Sequence, residues 1–246
     1  NRFDQSFTNW WVTDLSIDGN LTMGSGGGIY SQAADITVAG DATLHAVGDI
    51  VLDTVQNSGS LDAQHESSER DVFGDKTTET TTTIVERETV LGQLTIGNNL
   101  KITSELGDIT LKPVKIDSGG ATEIESKEGR VVFLTDKDFS FNQETKDEVG
   151  DFLFSNSDSG YSNETVVHSE IQAASFRVTA REGVVVEYKA GGSAEESIKT
   201  LSKEPGLAWM GELANRTDID WKGVEEARKD WDYASQGLTG PAAALL

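Results

Sequence analysis

Gly40-Asp-Ala-Thr-Leu-His-Ala-Val-Gly48-Asp-Ile-Val-Leu-Asp-Thr-Val55 places a Gly-Asp pair every eight residues. Each pair leads into an apolar/polar alternation: Ala42, Leu44 and Ala46, then Ile50 and Leu52. Side chains along a strand alternate between faces, so Leu44 and Ala46 share one face while Thr43 and His45 take the other. Gly-Asp suits a tight turn, because glycine tolerates positive φ and aspartate bonds its own backbone. A strand-turn unit this short cannot bury its apolar face alone. It must stack on copies of itself.

The copies are present. Gly107-Asp108-Ile109-Thr110-Leu111 repeats Gly48-Asp49-Ile50-Val51-Leu52. Weaker relatives begin at Gly19, Gly97, Gly129 and Gly183, the last running through Val184-Val185-Val186 to Tyr188. Alternating runs without glycine lie between them, at Leu15-x-Ile17, Ile36-x-Val38, Leu94-x-Ile96, Val114-x-Ile116 and Phe176-x-Val178-x-Ala180. The spacing drifts, as it does in β-solenoids that accept insertions between coils as surface loops.

The chain has 246 residues and a formal net charge of −22. Such acidity favours solubility and argues against nucleic acid as a ligand, since a phosphate backbone needs a basic footprint. No apolar run approaches the roughly 18 residues of a membrane helix. There is no cysteine, which removes disulfides, thiol nucleophiles and Cys-ligated metal sites. A cysteine-free chain suits export unfolded through an oxidising periplasm, and cysteine can equally be missing by chance. The first residue is Asn1, and Gly240-Pro-Ala-Ala-Ala-Leu-Leu246 reads as the start of a helix. Both ends read as cut points within a longer protein.

Residues 14–62 form the first repeat block. Residues 64–89 follow as a polar interruption containing Thr77-Thr-Glu-Thr-Thr-Thr-Thr-Ile-Val85. Threonine forms strands well but makes a poor core, so this segment reads as two long strands or a hairpin extruded from the stack, bending near Asp71-Val-Phe-Gly-Asp75. A disordered segment is the alternative. The repeat resumes over residues 90–136, and a second interruption spans residues 137–167, through Phe152-Leu-Phe154 and Ser155-Asn-Ser-Asp-Ser-Gly160. A last coil covers residues 171–189. After Ser193 the pattern turns helical: Ala194–Leu201 before Pro205, then Leu207 to Leu213, then a third helix from Asp218-Ile-Asp220-Trp221 to Gly237 with Val224, Ala227 and Trp231 on one face. Helices there cover strand edges that an open stack would expose.

Little of this carries catalytic chemistry. His45, His65 and His168 are the only histidines; His45 faces outward and His65 sits in the polar interruption, so no shared metal site is expected. The metalloprotease, P-loop and nucleophile-elbow motifs do not occur. Gly24-x-Gly-Gly-Gly28 leads into a strand at Ile29-Tyr30 and reads as a bend, not a phosphate cradle. Asp41, Asp49 and Asp108 read as turn formers; the calcium-binding toxin nonapeptide is absent. A polysaccharide lyase or hydrolase needs paired carboxylates, or a carboxylate with Arg or Lys, on adjacent coils. The acids here fall in the interruptions and the tail. Trp10-Trp11 offers a surface for sugars but reads as packing on a coil.

Several features together resemble the large exoproteins of two-partner secretion, of the filamentous haemagglutinin and contact-dependent growth inhibition type. The Gly-Asp-x-x-Leu units look like their haemagglutinin repeats. Asp158-Ser-Gly-Tyr-Ser-Asn-Glu-Thr-Val-Val167 and Ala180-Arg-Glu-Gly-Val-Val-Val-Glu-Tyr188 look like the last repeats before the C-terminal region. Leu207-Ala-Trp-Met210, Asp218-Ile-Asp-Trp-Lys-Gly-Val224 and Trp231-Asp-Tyr-Ala-Ser-Gln-Gly-Leu238 are similar to the segment that precedes the toxin. The repeats here are few, irregular and interrupted twice, unlike the regular arrays of that family.

The resemblance implies an all-β fold, a right-handed parallel β-helix with extruded β insertions over residues 1–192, and a helical pre-toxin segment over residues 193–246. Stacking about five to seven coils at about 4.8 Å each gives a body roughly 25–35 Å long. It implies a non-catalytic stalk, secreted to the bacterial surface, that presents a downstream toxin and helps deliver it to neighbouring cells. The implied partners are an outer-membrane transporter, the toxin domain and the target-cell envelope, with no cofactor, metal or nucleic acid. The alternative is an adhesin segment that binds a receptor or glycan through Thr77–Val85 or Phe152–Tyr161.

Overall fold

A computed structural model of the chain describes residues 1–71 and 74–240. The bend expected near Val72-Phe73 and the helix start expected over residues 241–246 lie outside the described residues.

β1 (Arg2–Thr8) precedes a first tier of short strands, β2 (Asp14–Ile17), β3 (Leu21–Ser25) and β4 (Ile29–Gln32). The second tier is β5 (Asp35–Val38), β6 (Ala42–Ala46) and β7 (Ile50–Asp53). Two long strands follow, β8 (Val55–Asp71) and β9 (Gly74–Val90). β10 (Gly92–Ile96), β11 (Leu100–Ser104) and β12 (Ile109–Leu111) make the third tier, and β13 (Val114–Ser126) with β14 (Val131–Phe133) the fourth. A second long pair, β15 (Asp136–Gly150) and β16 (Leu153–Val167), leads to a fifth tier of β17 (Glu170–Ala180) and β18 (Val184–Lys189). Then come α1 (Ala194–Leu201), α2 (Ala208–Leu213), β19 (Ile219–Val224) and β20 (Arg228–Leu238).

Tier stacks on tier by parallel pairing, in register. Leu15, Ile36, Leu94, Ile116 and Ile171 form one column. Met23, Leu44, Ile102, Ile124 and Val178 form a second. Ile29, Ile50, Ile109, Val131, Val184 and Ile219 form a third. The fold is therefore mostly β, with two parallel sheets enclosing one apolar core. Ile102, Ile109, Leu111 and Val131 have no solvent exposure at all (0%), and each such side chain contributes about 1.5–3 kcal/mol by leaving water.

The Gly-Asp signature has a physical reason that differs from the expected local turn. Asn20 Oδ1 accepts the Asp41 N–H, Asp41 Oδ1 accepts the Asn99 N–H, and Asn99 Oδ1 accepts the Ala121 N–H, at 2.9, 3.1 and 2.9 Å. A second ladder runs from Asp49 to the Asp108 N–H (2.8 Å) and from Asp108 to the Arg130 N–H (2.7 Å). Each Asp or Asn thus caps the backbone of the next tier. Glycine makes room for it and for the backbone of the tier below. A Cβ on Gly107 or Gly129 would lie 2.3 or 2.4 Å from the carboxylate oxygen and 2.5 or 2.7 Å from a backbone atom. Positive φ is not the reason, for neither residue has one; of the repeat glycines only Gly183 does.

The two interruptions are hairpins, and they are not separate. β8 pairs antiparallel with β9, β15 with β16, and β9 with β15 from Lys76↔Gly150 to Arg87↔Phe139. With β1 and β20 on the outside they form one six-stranded antiparallel sheet. The first hairpin begins at Val55, earlier than expected. No proline and no Gly-Asp pair marks the change of partner at Val55, so the boundary has no local signal.

The C-terminal segment is helical only in part. Ser193 Oγ accepts the Glu196 N–H at 3.3 Å and starts α1. Ile198, Leu201, Trp209, Met210 and Leu213 are buried against the core, and Trp209 stacks on Phe133 with centroids 4.8 Å apart. The expected third helix is replaced by β19 and β20. Ile219 and Trp221 alternate, and they extend the third column above Val184 and Val186. β19 supplies backbone hydrogen-bond partners to the open edge of β18, and β20 to that of β16, which a helix laid over an edge does not, so tertiary pairing overrides the acidic cap that suggested helix.

Candidate functional site

Residues singled out by sequence fall in scattered places. Among the described residues no group of three or more His, Asp or Glu side chains converges to hold a metal, and no helix is long and apolar enough to cross a membrane. His45 Nε2 meets Glu105 Oε1 at 2.8 Å on the outer face of the tiers. His65 lies on the first hairpin, beside Asn1. His168 is half-buried and accepts the Lys189 backbone N–H at Nε2 (2.9 Å); burial, then the neighbouring Lys189 charge, pushes it down to about 4, against a smaller opposing pull from Glu226. Asp41, Asp49 and Asp108 are occupied by the turn ladders. Gly28 marks close packing of tiers, since a Cβ there would lie 2.8 Å from the Asp49 carbonyl oxygen. Trp11 is 96% exposed and does not pack on a tier, while Trp10 is 54% exposed.

One constellation was not visible in the sequence. At the junction between the tiers and the projecting sheet, Asp53 Oδ1 meets Lys112 Nζ at 2.8 Å, and the Tyr30 hydroxyl donates to Asp53 Oδ2 at 2.9 Å. Asp136 is bonded from Thr54 Oγ1 (2.8 Å) and Gln56 Nε2 (3.2 Å) in the same corner. Asp53, Thr54, Gln56, Lys112, Asp136 and Trp10 line an open cleft of about 460 Å³. Burial would raise Asp53, but hydrogen bonds from Lys112, Tyr30 and the Thr54 N–H outweigh it and hold the carboxyl below its ordinary range. The hydrogen bond with Asp53 raises Lys112, and the same carboxylate raises Tyr30. Each shift is that of a hydrogen-bonded ion pair, in which the carboxylate and the ammonium stabilise one another. The cluster fastens the hairpins to the tiers.

The projecting sheet carries the second arrangement. Directly paired residues share a face, so Phe141, Gln143, Asp158, Trp231 and Tyr233 lie on one side with Thr81, Thr83 and Val85. Trp231 sits opposite Gly160, and a Cβ on Gly160 would come 2.7 Å from Trp231 Cζ2. The indole therefore occupies the space that a side chain at residue 160 would fill. Its Nε1–H donates to Asp158 Oδ1 at 2.8 Å, and Gln143 Nε2 donates to the same oxygen at 2.9 Å. These two bonds, Gln143 first, hold the Asp158 carboxyl below its ordinary range. Phe141 flanks the indole with centroids 5.8 Å apart, and Lys229 Nζ lies 5.8 Å from the ring centre. Phe7 and Phe154 cover Gly59 and Gly237 in the same manner on paired strands. Such aromatic-over-glycine pairs pin register in a sheet. Lys229, Trp231 and Tyr233 alternate at period two with Arg228, Asp230 and Asp232, a strand signal outweighed in the sequence by the helical spacing of Val224, Ala227 and Trp231.

At the far tip, Lys76, Glu148, Phe152, Leu153 and Phe154 line a cleft of about 450 Å³. Lys146, then Lys76 and Ser155, hold Glu148 down to about 2.

Comparison with known proteins bears on the repeats. Two segments, residues 9–60 and 79–144, match a family model described as Repeats of unknown function (DUF5649). Each matched segment spans two tiers and ends within the strand that leaves for the projecting sheet, β8 or β15. No curated protein matches the chain, and no solved structure does. Two-tier units, each with its own exit strand, are what this chain repeats.

Proposed function

We propose that the chain is a non-catalytic stalk segment of a secreted surface exoprotein, of the two-partner secretion kind, that presents a downstream toxin and helps deliver it to neighbouring bacteria. In this reading the tiers wind as a right-handed parallel β-helix. An outer-membrane transporter exports the unfolded chain, and the fold forms outside the cell. The observation that carries the proposal is the in-register column from Leu15 to Ile171. Each tier gains its backbone hydrogen bonds and apolar burial from the one before it, so folding free energy accrues as chain emerges. The turn ladders cap further backbone N–H groups between the second, third and fourth tiers. Catalysis is not part of this reading, because the junction carboxylate and lysine neutralise one another.

The test is refolding from urea in calcium-free buffer, followed by small-angle scattering. The proposal expects spontaneous recovery of β-type circular dichroism and an elongated envelope. It also expects that placing the chain behind a two-partner secretion leader makes surface display depend on the transporter. Failure to refold without calcium, or display without the transporter, overturns it.

A second reading is favoured by one observation, the open polar face around Trp231. On it the projecting sheet contacts the target surface while the tiers act as its mount.

A further inference from the structure

We propose that Trp231, Asp158 and Gln143 form a binding platform for a neutral oligosaccharide on the projecting sheet. The inference deepens the adhesion reading and rests on it; the stalk reading stands whether or not it holds. A pyranose ring presents one face of C–H groups and a rim of hydroxyls, and it is bound by a flat aromatic surface with planar hydrogen-bonding groups at its edge. The sheet offers both. The indole of Trp231 packs against Gly160, where a Cβ would meet Cζ2 at 2.7 Å, and is fixed at its N–H by Asp158 Oδ1 (2.8 Å), so little rotamer freedom is lost on binding.

Asp158 is set for a hydroxyl donor. Both bonds it receives, from Trp231 and from Gln143, end on Oδ1, and Oδ2 accepts none among the described residues. The other two aromatic-over-glycine pairs, at Gly59 and Gly237, have no carboxylate bonded to the ring, which is a phenyl in each. Register alone explains those. It does not account for the indole N–H, the Asp158 relay and the Gln143 amide assembled around Trp231.

Charge selects the class. The chain carries a net charge of −22, and on the platform's own face the one cation beside the ring, Lys229, is balanced by Asp158, so the overall field repels sialylated or uronic-acid glycans. An uncharged sugar meets no such barrier.

The experiment titrates the full chain with soluble glucose-, galactose-, mannose- and N-acetylglucosamine-terminated oligosaccharides, and with a sialylated set, by isothermal calorimetry. At least one neutral oligosaccharide is expected to bind at millimolar concentration or below. Trp231→Leu keeps an apolar cover over Gly160 and removes the π face; it should weaken binding about tenfold or more. Asp158→Asn keeps an acceptor for the indole and replaces the free oxygen with a donor, and should weaken it by a similar factor. Phe154→Leu, the matched change over Gly237, should leave affinity unchanged. The platform is overturned if no neutral oligosaccharide binds at millimolar concentration, if only sialylated ones bind, or if both platform variants bind like the parent. Refolding and scattering of the same preparations report on the stalk separately.

Discussion

Asp49 Oδ1 accepts the backbone N–H of Asp108 at 2.8 Å across 59 residues of chain, and Asp108 repeats the act on Arg130 at 2.7 Å. The acceptor matters here, not the charge, for Asn20 and Asn99 fill the equivalent role in the neighbouring ladder. Asp108→Asn should therefore be close to neutral. Asp108→Ala leaves the Arg130 N–H unpaired and should cost about 1 kcal/mol, as loss of a helix cap does. Urea unfolding checks both, with a lower midpoint and unchanged m-value for the alanine variant alone.

Gly107→Ala should cost more than Asp108→Ala. The added Cβ would lie 2.5 Å from Asp49 N and 2.6 Å from Gly48 C, as well as 2.3 Å from Asp49 Oδ1. Backbone cannot swing aside as a side chain does, so the tiers must separate locally, at roughly 1–3 kcal/mol. Removing the side chain as well, in Asp49→Ala/Gly107→Ala, should not rescue stability. Rescue in the double variant would show that the carboxylate alone demands glycine.

These ladders show how much of the fold is legible in the chain. Gly107-Asp108-Ile109 and Gly48-Asp49-Ile50 stand in the same words, and the structure stacks them residue on residue. Period-two alternation located the columns because it is a local property of each strand. What the alternation could not convey is which tier a turn residue serves, and so Asp49 reads as bonding its own turn when it bonds the next one. The pairing of β9 with β15 is also a contact between distant segments, with no local trace in Thr77–Val85. Trp231 carried signals for two periods, and the open edge of β16 decided between them. The Tyr30–Asp53–Lys112 cluster draws one residue from each of three tiers, a juxtaposition that only exact register reveals.

His168 should make stability pH-dependent in a window that carboxylates do not dominate. Its folded value is pushed down to about 4 by burial and by Lys189, with Glu226 opposing, against an ordinary value of about 6.5. The unfolded chain therefore binds the proton first, and stability falls as pH drops from about 6.5 to about 4. The loss reaches about 3 kcal/mol at its limit. His168→Asn should be flatter across that window while matching the parent below pH 4 in slope. Urea midpoints for both proteins at pH 7 and pH 4.5 measure it, and parallel profiles would exclude His168 as the source.

Deleting residues 137–166 should produce self-association and not a smaller monomer. The second hairpin covers β9 from Lys76 to Arg87, and its loss leaves a long edge rich in threonine, with unpaired N–H and C=O groups, next to Ile84 and Val85. Long exposed edges of high β propensity recruit further strands. Deleting residues 56–89 as well removes that edge, and the tiers, whose core contains no residue of either hairpin, should then recover a monomer with β-type circular dichroism. Light scattering separates the two outcomes. A single-hairpin deletion that stays monomeric would mean that β9 finds another partner, and that the antiparallel sheet is not the continuous unit its β9–β15 register describes.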